Sequence, residues 1–379
     1  MKIRDVDFLP LTSPYFEPGV FRNYGVVVVR TDEGLTGLGE PYAGVNMPTV
    51  CKEAIRLLKP QMLGADLAER DALMTKMRGI CEYFDHRGMI HCLLGAVEWA
   101  LCDLAAQHAK MPLHRFLNSQ SKNSVELYAS TGSTEWSHAD VIKDLESCFE
   151  RGFRAAKIRV GCCIESLDQA IARSFAVAKG RPRDMRLGVD AGMQVFHGAK
   201  CWGLESASKL ARALGETDVF FLEDPLLIHD IEGYKALRQL KCVPIAGGEM
   251  FAEVAPFQRY IEEGAWDVAQ PDACVLSGPA ACLEVGRCAQ KHRVSVVMHG
   301  WAGPVAQMQN IHAALAMPSC NLVEFAPFLN PLMEEMLAPV WKFDEGHFQA
   351  PTIPGMGLAL PPDIERRYPY QDSAVRLIA

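Results

Sequence analysis

Hydrophobic and polar positions follow two different rhythms along this chain. Over the first 40 residues apolar and polar side chains alternate as in strands, and residues 26–40 read as a hairpin: Val26–Arg30, a turn at Asp32-Glu33-Gly34, then Leu35–Glu40. Helical patterns follow. Residues 49–63 and 69–84 repeat apolar side chains at three- and four-residue spacing, whereas residues 90–109 are apolar nearly throughout, which predicts a helix buried on all sides. Strands followed by helices predict an α+β unit over residues 1–123.

From Ser124 the rhythm changes. Eight short strand-like runs, at residues 125–131, 155–160, 186–190, 219–225, 244–249, 267–272, 294–300 and 321–327, alternate with helical patterns over about 200 residues. Hydrophobic strands separated by helices predict a parallel sheet, and eight of them predict a closed α/β barrel, of the TIM type, over residues 124–339. An open doubly wound sheet is the competing architecture. Its usual glycine-rich phosphate turn is present only in weak form, as Ser130-Thr131-Gly132-Ser133.

Composition narrows the partners. The chain of 379 residues carries a formal charge of −8 and no basic block, so nucleic acid and anionic membrane are poor fits. The opening MKIRDVDFLPLTSP bears charges at Lys2, Arg4, Asp5 and Asp7, unlike a secretory leader. No uninterrupted apolar stretch approaches the roughly 18 residues of a membrane span. The 13 cysteines are odd in number, scattered and without a Cys-x-x-Cys pair, as expected of reduced buried thiols in a cytoplasmic protein.

The strand ends carry the chemistry. Lys157 and Arg159, Asp190, Glu223, Glu249, Asp272, His299 and Glu324 occur at intervals of 23 to 33 residues, the length of one βα unit. Each therefore returns to the same rim, the C-terminal rim of a barrel, where active sites are built. Charged groups that follow Val, Ile and Phe runs are costly to desolvate unless a metal or partner satisfies them. Asp190, Glu223 and Glu249 are hard oxygen donors with no Cys or His among them, a set suited to Mg²⁺ or Mn²⁺. Asp272 is placed to orient His299 and raise its basicity. Glu324 could donate a proton or hydrogen bond to a substrate oxygen, or simply hold a rim lysine. A metal facing Lys157, with His299 opposite, suits removal of a proton next to a carboxylate.

These ordered motifs resemble the enolase superfamily, specifically its mandelate racemase subgroup. The resemblance implies a modified (β/α)₇β barrel under an N-terminal capping domain, with residues 340–379 returning to complete the cap. It implies Mg²⁺ on Asp190, Glu223 and Glu249, a small carboxylate substrate bound to that metal, and His299 with Asp272 as base or acid on one face. Muconate-lactonizing and enolase relatives place a Lys near the end of the sixth strand, where this chain has Asp272. Two positions depart from the pattern. Arg159 stands where the family often has a second Lys, and Asp190-Ala191-Gly192 ends in Gly where the family often has Asn. Because a guanidinium stays protonated, Arg159 is expected to orient substrate or supply charge.

With one conventional base, β-elimination is the simplest outcome: dehydration of an acid sugar, an aldonate or aldarate, to a 2-keto-3-deoxy acid. A racemase or epimerase of a 2-hydroxy acid is the alternative, and a catalytically silent carboxylate-binding barrel is a third. Candidate specificity residues are Arg22 and Tyr24 in an expected loop at Tyr15–Tyr24, and Tyr42 and Asn46 in a loop at Glu40–Pro48. Cys162 and Cys163 follow the Lys-x-Arg strand and are candidates to line the pocket. The fold commonly forms symmetric assemblies, so a homo-oligomer is expected.

Overall fold

The computed structural model describes residues 1–83, 88–162, 164–194 and 201–374. Phe84, at the end of the second expected helix, Cys163, and residues 375–379 of the tail lie outside the described residues.

Strands β1 (Ile3–Tyr15) and β2 (Glu17–Thr31) pair antiparallel along almost their whole length, from Ile3 opposite Thr31 to Pro14 opposite Phe21. β3 (Thr36–Gly39) pairs on the other edge of β2, with Arg30 opposite Thr36 and Val27 opposite Gly39. The Tyr15–Tyr24 segment is therefore no loop. Its Glu, Pro and Gly residues read as turn chemistry, but the ladder partners supplied by β1 carry the hairpin out to Tyr15 and Glu17.

The run Val26–Val29 is buried on both faces, and the reason is layering. Val27 and Val29 pack with Phe8, Cys51, Ile55 and Met77 in the core of the cap, while Tyr24, Val26 and Val28 pack into the core shared with the barrel. The helix Met89–His108 likewise divides its side chains, Leu93, Val97 and Leu101 facing the cap core and Trp99, Cys102 and Ala106 the other. Its length and apolar composition match a membrane span, yet 72% of its most apolar window is buried inside the protein, as a helix between two cores must be. It lies so close to β3 that a Cβ on Gly39 would sit 1.9 Å from the Ala96 carbonyl oxygen, so only glycine fits there.

Eight parallel strands close the barrel: β4 (Ser124–Thr131), β5 (Ala155–Arg159), β6 (Arg186–Asp190), β7 (Leu222–Glu223), β8 (Ile245–Gly247), β9 (Val268–Ala269), β10 (Ser295–Met298) and β11 (Cys320–Phe325). They pair in sequence order, and β11 pairs with β4. Open doubly wound topology is thereby excluded. Tyr128, Ala155, Phe221, Ala246, Val268, Val297 and Leu322 fill the interior as a plug of mixed large and small side chains, and the charged residues lie on the strands' C-terminal side of it.

After β11 the chain first touches the cap hairpin, the Phe16 amide donating to the Leu329 carbonyl at 3.1 Å and Asn330 Nδ2 to the Tyr24 hydroxyl at 2.9 Å. A short hairpin, β12 (Phe343–Asp344) and β13 (His347–Gln349), then adds antiparallel to β4, with Phe348 opposite Val125. The tail then meets the cap again. Thr12 donates its amide to the Tyr368 carbonyl, and its hydroxyl oxygen accepts from the Gln371 amide.

Candidate active site

Lys157 projects from the middle of β5 and is buried to 1% exposure, its ammonium 2.5 Å from Glu223 Oε1, 2.9 Å from Glu324 Oε1 and 3.7 Å from Asp190 Oδ2. Burial alone acts to lower its pKa. Glu223, Glu324, Tyr128 and Asp190 more than reverse that and hold the ammonium well above the ordinary lysine range. Glu324 shows the converse: burial raises it, but Lys157 and His299 draw it down to about 2. Glu324 holds a rim lysine and accepts the Gly300 amide at 3.1 Å.

Asp272 and His299 follow β9 and β10, which are neighbours in the sheet. Asp272 Oδ2 lies 2.7 Å from His299 Nδ1, which fixes the ring and leaves Nε2 facing Glu249 Oε2 at 3.2 Å and Glu324 Oε2 at 3.7 Å. Asp272 is itself held. Its Oδ1 accepts from Asn310 Nδ2 at 3.0 Å and from the Cys274 amide at 2.9 Å. Burial pushes His299 down, while Glu249, Glu324 and Asp272 together raise it to about 10.

Two of the three expected acidic residues gather with one that was not expected, and the third stands apart. Glu223, Asp224 and Glu249 each offer an oxygen, and these oxygens lie within 4.8 Å of one another. Asp224 was not among the expected ligands. It takes a positive φ of 43° at the end of β7, and its Oδ1 accepts from the Tyr234 hydroxyl at 3.3 Å. Asp190 pairs with Glu223 across the ladder but lies outside that trio, with Oδ2 3.3 Å from Arg159 Nε and 3.7 Å from Lys157 Nζ. Glu223 is raised to about 8 by burial and by Asp190, Glu324 and Glu249, against the pull of Lys157.

The donor set fits a hard divalent cation. Among the described residues Asp190 Oδ2, Asp224 Oδ2 and Glu249 Oε2 are buried without a hydrogen-bond partner, the condition that a cation relieves. Amides steady the other oxygens: Gln194 Nε2 donates to Glu249 Oε1 at 2.7 Å, and Gln270 Nε2 donates to Glu223 Oε2. Gly192 has a physical reason to replace a larger residue. Its φ is +60°, its amide donates to Asp190 Oδ1 at 2.8 Å, and a Cβ there would meet Cys162 Sγ at 2.6 Å. Cys162 is packed against that turn.

Arg159 lies across the mouth, its guanidinium 5.2 Å from the Trp301 ring centroid. Burial acts to lower it, but Asp190 and its other neighbours raise it above even the ordinary arginine value. Arg22, Tyr42 and Asn46 line a cavity of about 200 Å³ with Tyr15, Trp301 and Ala374. Tyr24 does not line it. Its ring is fully buried in the core and its hydroxyl accepts from Asn330 Nδ2 at 2.9 Å. Sequence reasoning also missed Glu40, whose oxygens accept the Gly303 amide at 2.8 Å and the Ala306 amide at 3.0 Å, capping a barrel helix from the cap domain.

Known proteins resemble the chain over nearly its full length. Residues 140–364 match the family model for the enolase C-terminal domain-like fold, and residues 21–118 match that for the mandelate racemase/muconate lactonizing enzyme N-terminal domain. Arabinonate dehydratase of Saccharolobus solfataricus is 25% identical, covering 90% of this chain and 89% of that protein. L-talarate/galactarate dehydratase of Salmonella typhimurium is 28% identical, covering 87% and 82% respectively. The crystal structure of 3,6-anhydro-D-galactonate cycloisomerase from Zobellia galactanivorans superposes with a TM-score of 0.85 at 25% identity, over 97% of this chain and 99% of that one.

Proposed function

The chain belongs to the mandelate racemase/muconate lactonizing enzyme group of the enolase superfamily, and on that premise we propose that it dehydrates an acid sugar to a 2-keto-3-deoxy acid. The reading rests on one arrangement: an oriented imidazole, His299 on Asp272, opposite an ammonium, Lys157, with a carboxylate cluster between strands β6 and β8.

Asp190, Glu223 and Glu249 would hold Mg²⁺ or Mn²⁺, with Asp224 beside them. A divalent cation there would neutralise charge developing on the substrate carboxylate and offset the field of these carboxylates on His299. His299 Nε2 takes the α-proton, and the electron pair of that C–H bond moves toward the carboxylate carbon. Lys157 Nζ faces the oxygen on which the charge arrives. The β-hydroxyl then leaves as water, taking the proton from His299 as the α,β double bond forms. The enol so formed tautomerises to the 2-keto acid. Arg159 stays a cation throughout and offers no second base, which disfavours racemisation.

The test is incubation of the purified protein and Mg²⁺ with a panel of aldonates and aldarates, read as 2-keto acid formation. Turnover of at least one acid sugar supports the proposal. Exchange of the α-proton with solvent deuterium without any keto acid replaces it by racemisation. Neither signal with any acid identifies a silent barrel.

A further inference from the structure

Relatives at similar identity are named for both monoacids and diacids, so the choice between them must come from this chain's own residues. Resting on the acid-sugar reading above, we infer that the substrate is a diacid, an aldarate, whose distal carboxylate is received by Arg22 in the cavity between the cap hairpin and the barrel.

Among the described residues no carboxylate is paired with Arg22. One nitrogen, Nη2, donates to the Trp301 carbonyl, and the guanidinium stacks 4.9 Å from the Tyr15 ring centroid, but Nε is buried with no hydrogen-bond partner among the described residues. The groups that bear most strongly on its charge are Tyr15, Tyr42 and Tyr24, none of them a carboxylate. Glu40 senses Arg22, but both its oxygens are engaged by the Gly303 and Ala306 amides. If the only task at this position were to hold the Trp301 carbonyl, a neutral amide would serve without the cost of desolvating a charge. A planar donor with a free edge, in an aromatic-walled cavity, is suited to a carboxylate.

The cavity also lies at the correct end of the site. Trp301 is two residues beyond His299, with Arg159 over its ring and Arg22 on its carbonyl. Tyr42 lines the cavity and lies within electrostatic reach of both Arg22 and Glu249. A chain held by one carboxylate near Lys157 and Glu249 thus extends past Tyr42 toward Arg22.

The experiment compares matched pairs that differ only at the terminal carbon, glucarate with gluconate and galactarate with galactonate. Affinity is measured by calorimetry with Mg²⁺ present, alongside kcat/KM for both keto acid formation and α-proton exchange. The expected result is a preference of roughly 30-fold or more for the diacid of at least one pair, a ratio that collapses in Arg22→Met and is partly kept in Arg22→Lys. Equal affinity for both members of every pair in the wild-type protein overturns the inference, and so does an unchanged ratio in a folded Arg22→Met variant. Because affinity and exchange are read apart from elimination, diacid preference survives or fails independently of the dehydratase reading.

Discussion

At the scale of single residues the site works by giving each side chain a second contact that fixes the first. His299 points Nε2 into the mouth because Asp272 holds Nδ1, and Asp272 can do so because Asn310 and the Cys274 amide hold its other oxygen. His299→Asn keeps a donor for Asp272 while removing the group that carries a proton. Its melting temperature is expected to stay near wild type while turnover falls by about 10²–10⁴-fold, the usual loss for a general base. Near wild-type turnover in that variant would remove His299 from its role. Asp272 and His299 were legible in the sequence because ionisable residues recur at the length of a βα unit. Asn310, Gln270 and Gln194 were not, since a neutral amide points to no one chemistry and Asn310 meets Asp272 from 38 residues away. Asp224 was hidden by adjacency, since a second acid directly after Glu223 reads as a residue facing away until its positive φ is seen.

Among elements, the helix Pro304–Ala316 joins the site to everything around it. All of its residues are buried, including Gln307, Gln309, Asn310 and His312. Gln307 donates to the Glu324 carbonyl, and Gln309 accepts from the Glu40 amide and donates to its carbonyl. A helix here followed from the alternation of strand and helix patterns, but its polar residues could not be assigned partners without the cap in place. His312 supplies a measurable consequence. Its Nδ1 lies 3.0 Å from the His114 amide, which it accepts, so Nε2 keeps the proton it shares with the Met356 carbonyl at 3.0 Å. Both ring nitrogens are engaged in the neutral form, and burial lowers the residue to about 3. An unfolded histidine binds its proton near pH 6.5, so the stability this residue contributes is full above that value. Stability is lost as pH falls toward 3, at up to about 1.4 kcal/mol per pH unit. Urea unfolding at pH 7 and pH 5 should show about 2 kcal/mol of loss that a His312→Gln variant lacks. Parallel losses in the two proteins would refute the assignment.

For the whole molecule, the architecture concentrates like charges at one end of a closed barrel. Glu223, Asp224 and Glu249 have buried oxygens within 4.8 Å of one another, so a cation that binds only the folded chain should stabilise it globally. Mg²⁺ at about 100 times its Kd is expected to add about 2.7 kcal/mol to unfolding, and Glu249→Gln to remove most of that gain. Thermal unfolding with and without the cation checks this, and an unmoved midpoint in the wild-type protein would contradict a metal at these carboxylates. The barrel itself was legible as eight repeats, because each strand and helix carries its own period. The cap hairpin was legible only in part. Residues 15–24 have turn-like composition, and only pairing with a strand that begins at Ile3 makes them a ladder.

That hairpin limits how such proteins can be recombined. Because Val26 and Val28 seat against one core and Val27 and Val29 against the other, neither half presents a finished surface to water. A cap grafted from a relative would have to match the new barrel along the inner face of β2 and bring an acid at position 40 to seat on the helix start at Gly303. Altering substrate preference by changing side chains at the hairpin tip is therefore physically easier than exchanging the domain that carries it.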